Sequence, residues 1–560
     1  MTNILSKIVG ISFCGMLRIT RGDTRAIYRT AITSSLVLVL TIAILAGAQA
    51  GDDVTTLALV CICPFSFVLP WAWPQIWRAW QNRGRSTLYG SSRWGYMEEF
   101  LDWVVPPVLK RHPAPGAFPL APLGPRALEL PRRVVLRHVL IFGPSGAGKT
   151  RGFIMTACAW SRGASFIAFD PKGEAWDDTS GNHRRAWRVA PADPDRSICF
   201  NWVPLCQDPE IADLAARAIL TQEKDSNSDP FWTDAEITLL AGLFAHAGTF
   251  RTPTPAAMLD WMINRRVLDI LHELEKSPSK TAREYGGMYR HSADNERLAA
   301  SITVGGDVRL SWLLDPKVKR FTSASIHPPD FGRLRREPTA VYWAIALGDV
   351  KRLQSLSAVF FSLVIHQLLS VSGPVPVSIY ADELGNLGRI DGLPVYITTL
   401  RGLGIAIVGG MQSEAQFTRL YGQSGATVII DNFGTKIALC GLARDSAERV
   451  SKMLGETTES VVRRSRSRTG LFTVSVQRQV TDHQRFLMTP DEVTSMGDHE
   501  FVMRYANKRP LRLRRYHFAE PPCTAQSHPL GEALIQPPPP PERGRRPGSL
   551  PPELPPAQQT

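Results

Sequence analysis

At 560 residues and 62.0 kDa the chain has room for more than one domain, and 44% apolar against 21% charged residues excludes a wholly disordered or collagen-like polymer. The formal net charge of +13 raises a polyanion partner, but part of the basic excess flanks apolar runs near the N-terminus and a second excess lies in residues 463–515. Eight cysteines with no CxxC pair and no matching histidine spacing argue against a zinc site, and reduced thiols are expected.

In chain order, residues 31–48 (AITSSLVLVLTIAILAGA) and 54–73 (VTTLALVCICPFSFVLPWAW) carry no charge and approach the ~20 residues a helix needs to cross the hydrocarbon core. Their link, QAGDD, carries only acids. Arg21, Arg25 and Arg29 precede the first run, and Arg78, Arg83 and Arg85 follow the second. The positive-inside bias then predicts two spans with both termini cytoplasmic, and Trp71, Trp73, Trp77 and Trp80 fit an interfacial belt. A cleavable signal peptide would place its apolar run nearer the start.

Beyond this anchor, strand-length apolar runs alternate with helical patterns, which predicts an α/β body with a parallel sheet covered on both faces. The expected strands are 134–142, 165–170, 340–347, 375–382 and 404–410. GPSGAGKT at 143–150 has P-loop spacing, with Gly143, Pro144, Ser145, Gly146, Ala147, Gly148, Lys149 and Thr150 between a buried strand and a helix. The glycines let backbone amides approach phosphate oxygens; Lys149 supplies charge to the β- and γ-phosphates of ATP, and Thr150 a ligand to Mg2+. FDPKGE at 169–174 ends the second strand, with Asp170, Lys172 and Glu174 either facing a ligand or salt-bridged in a turn.

Between about 208 and 320 the apolar spacing is helical only, which predicts an all-helical insertion. VSIYADELGNLG then offers Asp382 as the magnesium-side carboxylate and Glu383 as base for an attacking water, or else an ordinary helix start. Gln412, after the 404–410 strand, either meets the γ-phosphate and orients water or caps a helix. RRSRSR at 463–468 either contacts nucleic-acid phosphates nonspecifically or forms a solvated hairpin tip. Residues 537–560 are too proline-rich to bury a core and are expected to be a disordered tail. No HExxH helix occurs anywhere, which argues against a membrane metalloprotease.

With GSSRW (90–94), FDPKGE, NWVPL (201–205), FWTDAE (231–236), ADELGNLG (381–388), LRGLGIAIVGGMQSEAQ (400–416), YGQSGATVIIDNFGTKIAL (421–439) and RFLMTPDEV (485–493) in that order, the chain resembles the type IV coupling proteins of bacterial conjugation and secretion. The resemblance implies a RecA-like P-loop NTPase with an all-helical insertion and a two-helix transmembrane anchor. Its divisions would be 1–84 anchor, 85–207 and 321–520 nucleotide-binding domain, 208–320 insertion and 521–560 tail. It further implies a homohexamer in the bacterial inner membrane that binds ATP and Mg2+ between subunits and drives DNA with its relaxase into a type IV secretion channel, in contact with that system's inner-membrane components. The alternative is a receptor for effector proteins in which nucleotide serves assembly. Arg401 and Arg137 match the family's interfacial arginines, Lys436 being a weaker candidate, and each could instead be a surface cation. Trp202 stands where the family has proline after asparagine.

Overall fold

The computed structural model describes residues 90–105, 114–123, 126–222, 230–263, 265–288, 309–468 and 474–517. The two expected spans and the expected tail lie outside these residues. Among the described residues no helix is long and apolar enough to cross a membrane. Among the described residues two compact units emerge: 92–456 with 486–517, and 457–485 with 90–91.

The larger unit is built on a nine-stranded sheet in the order β14-β13-β10-β4-β9-β8-β5-β7-β6. Its strands are β4 (Val139–Phe142), β5 (Ser165–Asp170), β6 (Ala186–Val189), β7 (Ala340–Ala344), β8 (Val377–Ala381), β9 (Ile405–Met411), β10 (Thr435–Leu439), β13 (Glu500–Tyr505) and β14 (Leu511–Arg514). From β10 to β6 all neighbours are parallel, whereas β13 pairs antiparallel with β10 and β14 antiparallel with β13, so the sheet is mixed and the expected parallel sheet is corrected at one edge. Three further strands, β1 (Val104–Val105), β2 (Phe118–Leu123) and β3 (Arg126–Leu130), form a small separate sheet.

Alternate residues of the central strands feed opposite cores. Leu140, Phe142, Ile167 and Phe169 join one buried cluster, while Val139, Ile141, Phe166 and Ala168 join the other. Burial on both faces explains why these strands read as unbroken apolar runs. The expected strand 134–142 begins only at Val139, because Arg132–Val135 forms a helical turn and His138 takes a left-handed φ of 60°. That kink buries the imidazole, whose Nε2 lies 2.8 Å from the Ile397 carbonyl while Nδ1 accepts from the Ile407 amide at 3.0 Å. Burial holds the ring neutral, with a pKa lowered to about 4.

Between β6 and β7 every described regular element is helical: Pro209–Leu220, Pro230–Ala247, Pro255–Ile263, Val267–Glu275, Lys280–Met288 and Pro316–Ser323, with short 3-10 turns. Their buried residues, among them Ala212, Ile219, Phe244 and Leu274, belong to the same cluster as Phe169 and Trp343, so this region is packed onto one sheet face. NWVPL ties its two ends. Asn201 is fully buried; its Nδ2 donates to the carbonyls of Pro253 and Ser325, both at 2.9 Å, and its Oδ1 accepts from Val203 N. Trp202 is buried without loss of that clamp. The four described cysteines, Cys158, Cys199, Cys206 and Cys440, are free thiols.

The second unit contributes β11 (Glu456–Arg468) and β12 (Val474–Phe486), a two-stranded sheet whose Ser460 hydroxyl donates to Asp482 at 2.6 Å. The arginine run 463–468 therefore lies in β11 itself, and Arg463 is exposed.

Replacing Asn201 by alanine strands two carbonyls and an amide in the interior. Thermal unfolding of Asn201→Ala should show a loss on the order of 3 kcal/mol; a change below about 0.5 kcal/mol, as for an ordinary surface substitution, would contradict the clamp.

Candidate functional site

β4 delivers Gly143 at its C-terminal end, where the Gly143 amide donates to the Met411 carbonyl at 3.1 Å, and the loop turns into a helical segment, Thr150–Ile154 then Met155–Trp160. Gly146 and Gly148 have φ of 82° and 91°, a region that side chains resist, so glycine at these two positions is a backbone requirement here. Lys149 is only 5% exposed, and its ammonium donates to the carbonyls of Gly143 at 2.6 Å and Pro144 at 3.0 Å. Burial lowers its pKa, and the neighbouring carboxylates of Asp382 and Glu383 oppose that shift.

Asp382 follows β8, two strands from β4 across β9. What brings it against Lys149 is Gly410 on the intervening strand. A Cβ at Gly410 would collide with the Asp382 carbonyl oxygen and come within 3.2 Å of Lys149 Cδ. The neighbouring Gly409 is similarly bare, its missing side chain replaced by Leu384. The GG of GIAIVGGM thus lets the acidic pair and the lysine meet across one strand.

Glu383 is 5% exposed and its Oε1 accepts from the Gln412 amide at 3.4 Å. Burial pushes its carboxyl up to about 7, against the opposing pull of Lys149 and the Gln412 hydrogen bonds. Asp382 Oδ1 and Glu383 Oε2 are buried with no hydrogen-bond partner among the described residues. Unpaired carboxylate oxygens beside a buried ammonium and an open glycine loop form a donor set that fits a phosphate–metal group.

Neither Glu383 nor Gln412 spends its side chain on capping a helix. Glu383 precedes the 3-10 turn Leu384–Leu387 but its side chain makes no cap bond. Gln412 does not cap the helix Glu414–Asn432 either; Ser413 does, accepting from Ala415 N at 3.2 Å. Asp170, the last residue of β5, instead fastens the turn that follows it: its Oδ2 accepts from Trp176 N at 2.9 Å, and Lys172 is exposed.

Arg137 and Arg401 are not brought to this site. Arg137 precedes β4, at the sheet edge opposite Gly143, with its guanidinium 5.7 Å from the Tyr505 ring centroid. Arg401 ends the helix Leu393–Gly402 that leads into β9, and is exposed at that same far edge. Lys436, at the start of β10, lies 3.8 Å from Asp431. Within one chain, none of these cations completes the lysine–carboxylate cluster.

Two residues that sequence reasoning missed hold the loop after Glu383. Gln222 accepts from Arg389 N at 2.6 Å and donates to its carbonyl at 2.9 Å, while the Tyr421 hydroxyl accepts from Ile390 N at 3.0 Å. No local pattern marks them, because their partners are backbone groups far along the chain.

Gly410→Ala should disperse this cluster: with a backbone oxygen in the way, nothing flexible can yield, and a stability loss of about 3 kcal/mol or more is expected. Wild-type melting in that variant would contradict the close approach. Glu383→Gln acts oppositely in the nucleotide-free protein. Folding raises the Glu383 pKa, so its charged form is disfavoured from about pH 4.5 upward, fully so above about 7. The amide should stabilise by up to about 3 kcal/mol at pH 8, a gain that shrinks toward pH 5 in paired melting curves.

The model of the type IV secretory system conjugative DNA transfer family matches residues 126–530. VirD4 of Agrobacterium fabrum is 27% identical over 404 residues, and VirD4 of Rhizobium rhizogenes 26%; each match covers 68% of this chain and 58% of the relative, so the chain spans little more than half the length of these relatives. Among solved structures, the conjugative coupling protein TrwBΔN70 in complex with sulphate superposes with a TM-score of 0.61 at 18% identity, over 80% of this chain and 96% of that one. TrwB in complex with a non-hydrolysable ATP analogue gives 0.60 at 17% identity over 79% and 96%, and TrwB with ADP and Mg2+ gives 0.59 at 17% over 80% and 96%. The sheet order, the glycine loop and the family match over most of the chain agree: the chain belongs to the type IV secretory system conjugative DNA transfer family.

Proposed function

We propose that this protein is a coupling ATPase of the bacterial inner membrane, which receives DNA with its relaxase and drives it by ATP hydrolysis into a type IV secretion channel. The observation that carries the reading is that buried Lys149, beside the glycine loop, lies within electrostatic reach of Asp382 and Glu383, each of which has a buried oxygen without a partner among the described residues. The comparisons support it: the family is that of conjugative DNA transfer, and the solved TrwB structures hold an ATP analogue or ADP with Mg2+.

Bound Mg2+–ATP would supply a phosphoanhydride whose cleavage releases the free energy for transport. Of the chain's own groups, the loop amides that follow Pro144, up to Thr150, would bind phosphate oxygens and Lys149 would neutralise their charge. Thr150 and Asp382 would hold the metal. Glu383, poised near neutrality, accepts the proton of the attacking water, and Gln412 orients that water. Arg401 and Arg137 share the edge opposite the loop, a placement suited to reaching a neighbouring subunit's site in a homohexamer. The segments 31–48 and 54–73 would anchor each subunit with both termini cytoplasmic, in contact with the secretion system's inner-membrane components.

Purified full-length protein should turn over ATP slowly and faster with single- or double-stranded DNA. Lys149→Ala should abolish turnover, and unchanged turnover would assign the activity elsewhere. Glu383→Gln should keep nucleotide binding while losing at least ~100-fold in rate. If a strain carrying that variant still transferred substrate, nucleotide would serve assembly of a receptor and not transport. Turnover should climb between pH 6 and 8 as Glu383 ionises around 7; a flat profile would remove Glu383 as the base.

A further inference from the structure

Arg515, a charged residue beside the glycine loop, has no part in the proposed hydrolysis. Two antiparallel pairings, β10 with β13 and β13 with β14, turn β14 back into the direction of β4, so the end of β14 emerges at the edge that carries the loop. Arg515 follows immediately. Its backbone is fixed: its amide donates to the His499 carbonyl at 2.8 Å, and the next ring, Tyr516, lies 6.1 Å from Trp160 at the end of the loop's helix.

The Arg515 side chain runs along the loop. Its stem passes Gly152, where a Cβ would stand 3.0 Å from Cδ, and its guanidinium covers Gly148, where a Cβ would stand 2.5 Å from Cζ and 2.7 Å from Nη2. Those two bare positions make the approach possible. The guanidinium is poorly satisfied: Nη2 donates to Asp498 O at 3.2 Å, Nη1 to Tyr516 O at 3.5 Å, and the buried Nε has no partner. No carboxylate pairs with it among the described residues. Such a cation, held against a loop that binds anions, lacks only the anion.

We propose that Arg515 is a nucleotide-binding residue acting within its own subunit, at the α/β-phosphate end of the site. This rests on the nucleotide reading of the loop. Lys149, Asp382 and Glu383 meet on the β9 side, where the terminal phosphate and metal belong. Arg515 sits instead against Gly148 and Gly152, beside the loop and helix amides that take the inner phosphates. Its charge should therefore favour diphosphate and triphosphate alike.

The test is titration of full-length protein in detergent with fluorescent ADP and with a fluorescent non-hydrolysable ATP analogue, for wild type, Arg515→Gln, Arg515→Lys and Lys149→Ala, with melting temperatures taken without nucleotide. Arg515→Gln should weaken both nucleotides about tenfold with an unchanged melting temperature, and Arg515→Lys should recover part of the loss. Unchanged affinities, or a fall in melting temperature that lysine does not rescue, would make Arg515 a prop for the loop and overturn the proposal. A loss confined to the triphosphate would overturn the α/β placement. Wild-type protein that binds neither nucleotide, or Lys149→Ala that binds both as wild type, would overturn the nucleotide reading itself.

Discussion

A lysine ammonium held almost entirely out of water is costly unless opposing charge lies close by, and the rest of this molecule is arranged around meeting that requirement for Lys149. The counter-charges come from a different strand, two places away in the sheet, and reach the lysine only because the strand between them carries two glycines in succession. The same closeness leaves carboxylate oxygens short of partners. A purely structural cluster would have been finished with hydrogen bonds.

Around that cluster the parts are joined by side chains that bond to backbone. Gln222, at the end of the first helix inserted after β6, grips both polar groups of the Arg389 peptide, and Tyr421 holds the next amide. The loop that begins at Glu383 is therefore tied to the helical region and to the helix Glu414–Asn432. A change in the packing of either has a direct mechanical route to the acidic pair, and Asn201 in turn fixes the ends of the helical region to each other.

Strand direction sorts the cations into two groups. Arg137 and Arg401 stand at the amino ends of β4 and β9, with the neutral His138 pinned between their elements, whereas Lys149 and Arg515 stand at the carboxyl ends of β4 and β14. One end of the sheet thus carries the glycine loop with Lys149 and Arg515, and the other carries Arg137 and Arg401.

By itself the sequence determined the local features: the buried strands Ser165–Asp170 and Val377–Ala381, the glycine loop between strand and helix, the helical periodicity between β6 and β7, and Asp382 and Glu383 at a strand end. Each depends on residues within one turn or one strand, where burial on two faces, backbone freedom of glycine and helical spacing leave a direct trace. The tertiary structure alone decided that β13 and β14 reverse the sheet's edge, that β4 starts late behind His138, that Gly410 makes room for Asp382, and that Gln222 and Arg515 reach elements hundreds of residues or several strands away. Those outcomes turn on hydrogen bonds to backbone and on close approach between distant segments, and a peptide group or an absent side chain looks the same in a sequence wherever its partner lies.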